Sequence, residues 1–376
     1  MPSPTFFLCM CAVVAFAWHQ SGNRWQPLHV SLGNWFVVEE YAFPVQLLLD
    51  GLSLPLLALT IVLSGVIGSF SSRYLHRDRG FLRFFILLHL FAFGAALTFT
   101  AGSFDLLIAG WELVGLTSVL LIAFFNERPS PVRNAARVFA VYKSTDVGLV
   151  AGVFLLHHFA GSQAVHAMFE GGRLPANQTL GWGAATIVGG LLLLAASGKA
   201  AQIPFSSWLP RAMEGPTPSS AIFYGGISVH LGIYLLLRAE SILQSSPIVP
   251  AAIVLIGLLT AVQATLAGRA ATDAKTSLSY AALTQLGIIF VEAGMGWTTL
   301  ALLHITGHAA VRTLQFLRAP SMLHDDHRMH AAAAGQLAKT GLHYDALLPL
   351  STRLWLPAGV DHSHMDAVLD RFFRRW

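Results

Sequence analysis

The strongest constraint on this chain is a succession of apolar runs, each about as long as the 20 or so residues a helix needs to cross a hydrocarbon core. They lie at roughly 51–71, 81–102, 104–125, 133–157, 181–203, 217–238, 246–267, 276–295 and 298–318, after a shorter first run from Phe6 to Trp18. Residues are 55% hydrophobic and only 11% charged, whereas a soluble domain carries about a quarter charged residues. These features predict an all-α integral membrane protein of about ten transmembrane helices. No Lys or Arg precedes Phe6, so the first run reads as an uncleaved helix rather than a signal peptide.

Charge supports the same count. Short cytoplasmic loops are enriched in Lys and Arg, and here Arg73, Arg77, Arg79 and Arg83 share one gap, followed two gaps later by Arg128, Arg133 and Arg137. Arg211, then Arg269 with Lys275, then the basic C-terminus continue the alternation, while intervening gaps hold only Arg24, Arg173 and Arg238. Ten spans with both termini cytoplasmic satisfy both patterns. The net charge of +4 is scattered between apolar runs, which argues against nucleic-acid binding. Cys9 and Cys11 sit two apart in a helical run and face apart, so no disulfide framework follows.

The chain divides into a polytopic domain, residues 1–320, and a tail, residues 321–376, with no run able to cross a bilayer. In the tail's last segment Met365, Val368, Leu369, Phe372, Phe373 and Trp376 share one helical face, and Asp366, Asp370, Arg371, Arg374 and Arg375 the other. Amphipathic helices, lying at the headgroups or docking a soluble partner, are expected there.

An ionisable side chain at the centre of a membrane helix costs about 2.5–3.5 kcal/mol on insertion scales, so each asks for a partner or a role. Glu112, Lys143, Asp146, Lys199, His230, His304 and His308 all fall within predicted spans. Lys143 and Asp146 are three apart and share a face; His304, His308 and Arg312 recur every fourth residue as a polar stripe. One buried pair could simply fix helix packing. Five helices with such groups point to a proton or ion path. A buried Lys suits proton transfer because burial favours the neutral amine and a nearby carboxylate the ammonium. Pro216 and Pro218, followed by Gly225 and Gly226, predict a broken helix, a feature that recurs at transporter ion sites.

The run from Gly198-Lys199-Ala200-Ala201-Gln202-Ile203-Pro204 through Trp208-Leu209-Pro210 to Glu214-Gly215-Pro216-Thr217-Pro218-Ser219-Ser220-Ala221 resembles the signature of the antiporter-like subunits. These include the L subunit of bacterial NADH:quinone oxidoreductase and the large Mrp antiporter subunit. Trp111-Glu112-Leu113-Val114-Gly115-Leu116, Asp146-Val147, Thr272-Asp273-Ala274-Lys275, Ser279-Tyr280 and Thr284-Gln285-Leu286-Gly287 match in the same order. The resemblance implies a proton channel in which Glu112 pairs with Lys199 and Lys275, His304 and His308 extend the path. It also exposes departures: Tyr224 stands where the family has histidine, Arg211 where it has aspartate and Arg312 where it has lysine. Arginine keeps its proton and cannot relay one, so Arg312 would be a counter-charge or a partner contact. The chain is also expected to lack the family's later helices and the lysine of their outlet half-channel.

With Tyr224, Ser228-Val229-His230 and Gln315-Phe316-Leu317-Arg318-Ala319-Pro320, the narrower resemblance is to the DabB-type membrane subunits of DAB inorganic-carbon pumps. That implies an ion-conducting subunit coupling ion flow to CO2 hydration on a large soluble zinc protein similar to carbonic anhydrase, of the DabA type. No cofactor or enzymatic site is then expected in this chain; zinc belongs to the partner. The alternative is an ion-pumping subunit of a respiratory dehydrogenase, hydrogenase or Mrp-type antiporter. Two further readings carry less. Haem ligation by His89, His157, His158, His230 or His304 would need facing pairs that no spacing announces. Metal binding is open to His304 with His308, and to His324-Asp325-Asp326-His327.

Overall fold

The computed structural model describes residue 13 and residues 27–38, 41–161, 180–271 and 274–319. The predicted first helix and the amphipathic tail, including His324 to His327, lie outside the described residues. A β-hairpin, β1 (Leu28–Val38) and β2 (Tyr41–Leu49), comes first. Sequence reading assigned this gap no structure. The hairpin is fastened to the bundle by the Gly102 N–H donating to the Gln46 carbonyl at 2.8 Å.

Helices then follow as α1 (Ser53–Tyr74), α2 (Phe81–Thr100), α3 (Phe104–Ile122), α4 (Pro129–Ala160) and α5 (Trp182–Lys199). Short α6 (Trp208–Arg211) and α7 (Thr217–Ser220) lead into a π-helical turn, Ala221–Gly226, and α8 (His230–Arg238). After α9 (Glu240–Leu243) come α10 (Val249–Gly268), α11 (Ala274–Gly294) and α12 (Thr298–Arg318). Each predicted range from 51–71 to 298–318 is thus occupied by helix. Among the described residues six helices, α1 to α5 and α10, are long and apolar enough to cross a membrane. α11 and α12 have the length, 21 residues each, but carry Lys275, Glu292, His304, His308 and Arg312.

Two predicted spans are modified. The range 181–203 ends at Lys199, and the chain continues through buried irregular backbone; there the Ile203 N–H donates to Thr260 Oγ1 at 3.0 Å and Trp208 Nε1 to the Gly198 carbonyl at 3.0 Å. Such backbone survives at membrane depth only where protein groups satisfy it. The range 217–238 is broken between the π turn and α8, as the glycines foretold. A Cβ on Gly225 would lie 2.5 Å from the Thr313 backbone nitrogen, so glycine lets the turn press directly against α12.

The helix ends sort into two faces. On one, Lys275 Nζ donates to Thr217 Oγ1 (3.0 Å), Ser130 and Asn134 hold Glu214, and Arg83 reaches the Phe124 carbonyl. The Arg-rich connections therefore gather together. On the other, Arg238 binds Asp50, Tyr234 donates to the Phe99 carbonyl and Thr298 to Glu240, which joins the start of α1 to the ends of α2 and α8 and the α11–α12 turn. Outward-facing Leu, Ile, Phe and Val side chains such as Leu82, Ile86, Phe93, Leu255, Leu258 and Val262 form the surface expected against lipid.

Candidate functional site

Glu112 lies eight residues from the start of α3 and ten from its end, so it is about 12–15 Å from either helix terminus. Its neighbour Trp111 turns inward and is fully buried. Successive helical residues point about 100° apart, so Glu112 faces the outer side of the bundle, where its carboxylate Oε2 is ion-paired with Lys143 Nζ of α4. Lys143 Nζ also stands 3.9 Å from Asp146 Oδ2, one turn further along α4. Asp146 in turn accepts a 2.6 Å hydrogen bond from Trp111 Nε1.

Lys199 occupies the last position of α5, where exposed carbonyls favour a cation. It is 0% exposed. Its Nζ donates to the Trp111 carbonyl at 3.1 Å and sits 4.8 Å from the Trp111 ring centre and 4.4 Å from that of Tyr142. Cation–π attraction is strongest when desolvated. The resemblance implied a Glu112–Lys199 pair. In this structure Glu112 instead binds Lys143, and among the described residues no carboxylate lies within 4.0 Å of Lys199. Trp111 bridges the two centres, carbonyl to Lys199 and indole N–H to Asp146.

Gly115, one turn after Trp111, leaves room for the ammonium: a Cβ there would lie 2.9 Å from Lys199 Nζ. The end of a lysine can swing aside, so Gly115→Ala is expected to assemble normally while displacing Nζ. Misplacing a reacting group by about 1 Å can cost up to about 100-fold in rate, and an intermediate loss of coupled ion movement, measured in membrane vesicles, is expected. Wild-type rates in this variant would show that the lysine's position is not critical.

A second cluster joins the broken helix to α12. His230 Nδ1 lies 2.9 Å from the Gly226 carbonyl and His230 Nε2 lies 2.9 Å from His308 Nδ1. With both rings neutral, His230 donates through Nδ1 to the carbonyl and accepts at Nε2 from His308. That leaves His308 Nε2 as an acceptor, buried and without a partner. The nitrogen separation is too short for a metal ion or haem iron between the rings, and among the described residues no three His, Cys, Asp or Glu side chains form a metal-binding group. One turn back, His304 Nδ1 meets Glu292 Oε1 at 2.9 Å and Nε2 meets Gln285 Oε1 at 3.0 Å. His304 and His308 therefore point to different partners rather than to a shared metal.

Lys275 is buried near the first turn of α11 and reaches Thr217 beside Pro216 and Pro218. Arg312 donates to the Ala281 carbonyl (3.0 Å) and to Gln315 Oε1 (2.8 Å). Tyr224 belongs to the π turn. Sequence reading named neither Glu292 nor the pairing role of Trp111: the first sits in the last turn of α11, twelve residues from its partner, and the second is not ionisable.

A family model described as "NADH:quinone oxidoreductase/Mrp antiporter, TM" matches residues 101–350. The chain belongs to this family. A second, "NADH-Ubiquinone oxidoreductase (complex I), chain 5 N-terminus", matches residues 35–85. NADH-quinone oxidoreductase subunit L of Campylobacter jejuni is 33% identical over 80% of this chain and 49% of its own length. That of Escherichia coli (strain K12) is 32% identical over 94% of this chain and 56% of its own. Among solved structures, the Mrp complex from Dietzia sp. DQ12-45-1b superposes with a TM-score of 0.71 at 25% identity, over 83% of this chain and 34% of that one. The chain spans about half the length of the curated relatives it matches. It is a multi-pass membrane protein with the antiporter-like fold.

Proposed function

We propose that this chain is a proton- or cation-translocating membrane subunit of complex I or Mrp antiporter type, working inside a multi-subunit membrane complex. The observation that carries this is Lys199: a fully buried amine at an interrupted helix end, held by one carbonyl and linked through Trp111 to Asp146, Lys143 and Glu112. Moving charge along Glu112, Lys143 and Asp146 changes how well the Lys199 ammonium is tolerated, which loads or unloads its proton. His230 and His308 continue the path along the broken helix, with Lys275 at the face bearing the basic connections and Arg312 as a fixed charge. Redox or hydration chemistry would reside on partner subunits. The gathering of the basic connections on one face supports a cytoplasmic orientation for that face in a bacterial inner membrane.

The named relatives are quinone oxidoreductase and Mrp subunits, so the respiratory or antiporter reading takes precedence over the inorganic-carbon pump inferred from Tyr224 and His230. A pull-down of the full chain from its native membrane in mild detergent, with mass spectrometry and zinc analysis, separates them. Redox or further antiporter subunits are the expected result; a stoichiometric zinc protein of the DabA type would restore the carbon-pump reading. Glu112→Ala is expected to abolish ion-coupled activity of that complex, and full activity would remove Glu112 from the path.

A further inference from the structure

Glu292 stands in the last turn of α11, which ends at Gly294, and is 7% exposed. One carboxylate oxygen meets His304 Nδ1 at 2.9 Å; the other, Oε2, is buried with no partner. One turn along α12, His308 Nε2 is likewise buried without a partner. Leaving such a group unsatisfied in the interior is unfavourable, and a purely structural pair would avoid it. As proton landing places the two atoms make sense.

Gln285 adds a second argument. Its amide faces His304 Nε2 through oxygen at 3.0 Å, which suits a ring protonated on both nitrogens. Turned over, it would present N–H to an unprotonated Nε2. The site can thus seat His304 with or without its second proton.

Ala293, Gly294, Met295 and Gly296 line a cavity of about 120 Å³ together with Glu240 and Gln244. Glu240 accepts from Thr298 Oγ1 and Gln244 Nε2, both at 2.7 Å, placing a second carboxylate beside the α11–α12 turn.

We propose that Glu292 is a proton-exchange group which, with His304, opens the translocation path toward the membrane face formed by the α11–α12 turn. The proposal rests on the ion-translocating function above. A proton taken up at Glu292 passes to His304, restoring the carboxylate. His304, now protonated on both nitrogens, releases its Nε2 proton as the Gln285 amide turns over, and His308 Nε2 is the next base, one helical turn on, about 6 Å along the helix axis. His308 then gives its Nδ1 proton to His230 Nε2, leaving the charge on His230 against the Gly226 carbonyl.

The test uses the full chain in its native complex, reconstituted in phospholipid vesicles, with a pH-sensitive dye reporting proton movement under the drive, NADH or a Na+ gradient, that operates in wild type. Glu292→Gln keeps an oxygen for His304 and nearly the same volume, so assembly should be normal. The rate is expected to fall about 100-fold, the scale on which a lost acid–base group acts, with Glu292→Asp recovering part of it. Infrared difference spectra in H2O and D2O should show an exchanging carboxyl band in wild type and in Lys199→Ala that disappears in Glu292→Gln. A wild-type rate in Glu292→Gln, or no band lost with it, overturns the proposal. So does failure of both variants to assemble, which would mark the carboxylate as structural. If Lys199→Ala is inactive while Glu292→Gln runs fully, the Glu292 route alone fails; if both run fully, the ion-translocating function fails with it.

Discussion

Lys199→Ala is expected to abolish ion-coupled proton movement, a loss of about 100-fold or more, while the chain still inserts and joins its complex. The ammonium is fully buried, bonded to the Trp111 carbonyl and packed against the Trp111 and Tyr142 rings. Three replacements separate its possible roles. Alanine removes the amine but leaves a cavity, whose cost would confuse a purely kinetic reading. Methionine fills nearly the same space with no proton to exchange. Arginine keeps the charge but not the ability to release the proton. Proton exchange at Lys199 requires all three to be inactive in an assembled complex, measured as dye-reported acidification in vesicles. An active arginine variant would reduce Lys199 to a fixed positive charge, and an active methionine variant would remove it from the path.

The sequence carried the helices because a bilayer demands long apolar runs, and it carried the break because Gly225 and Gly226 stand where a continuous helix would bury side chains. It also located most of the ionisable groups, since charges are conspicuous against a hydrocarbon background. What it could not carry was pairing. Glu112 and Trp111 are adjacent, yet helical rotation sends one outward to Lys143 and the other inward between Asp146 and Lys199. Periodicity gives no absolute rotation for α3, because apolar residues surround this helix on every side: Leu116 and Leu120 face outward while Trp111 and Val114 are buried. The Glu292–His304 contact crosses the turn between two helices, so its twelve-residue spacing fits no single-helix rule. The β-hairpin was missed for another reason. Its strands have a register irregularity between Ser31 and Phe36, which disrupts the strict alternation by which strands are recognised.

Asp50→Ala is expected to lower stability by about 3–5 kcal/mol, the range for removing one member of a buried ion pair, and to do so without lying on the ion path. Arg238 grips Asp50 with two hydrogen bonds, Nη1 to Oδ2 at 2.6 Å and Nη2 to Oδ1 at 3.2 Å. The Arg238 side chain is only 8% exposed, so its charge would be stranded. Asp50 Oδ1 also accepts the Ser53 N–H at 2.8 Å and the Leu52 N–H at 3.1 Å, satisfying donors that the start of α1 would otherwise leave open. Arg238 further binds the Tyr234 hydroxyl, which donates to the Phe99 carbonyl at 2.8 Å. One carboxylate thereby ties the start of α1 to the ends of α8 and α2. Burial alone would raise its pKa, but the Arg238 guanidinium and the Ser53 N–H outweigh burial and hold it below the ordinary 3.8. A depressed carboxylate contributes stability that is complete above its unfolded value and is lost as pH falls through the folded one. The contribution of Asp50 should therefore be constant from pH 7 to about 4, near the unfolded carboxylate value, and decline only below that. Thermal unfolding in detergent checks both statements. The midpoint of Asp50→Ala should fall clearly at pH 7, and its gap from wild type should narrow below pH 4. The double variant Asp50→Ala/Arg238→Met should recover much of the loss, because no unpaired charge remains. A midpoint unchanged in Asp50→Ala would mean that the hairpin and helix contacts hold this face together without the clamp.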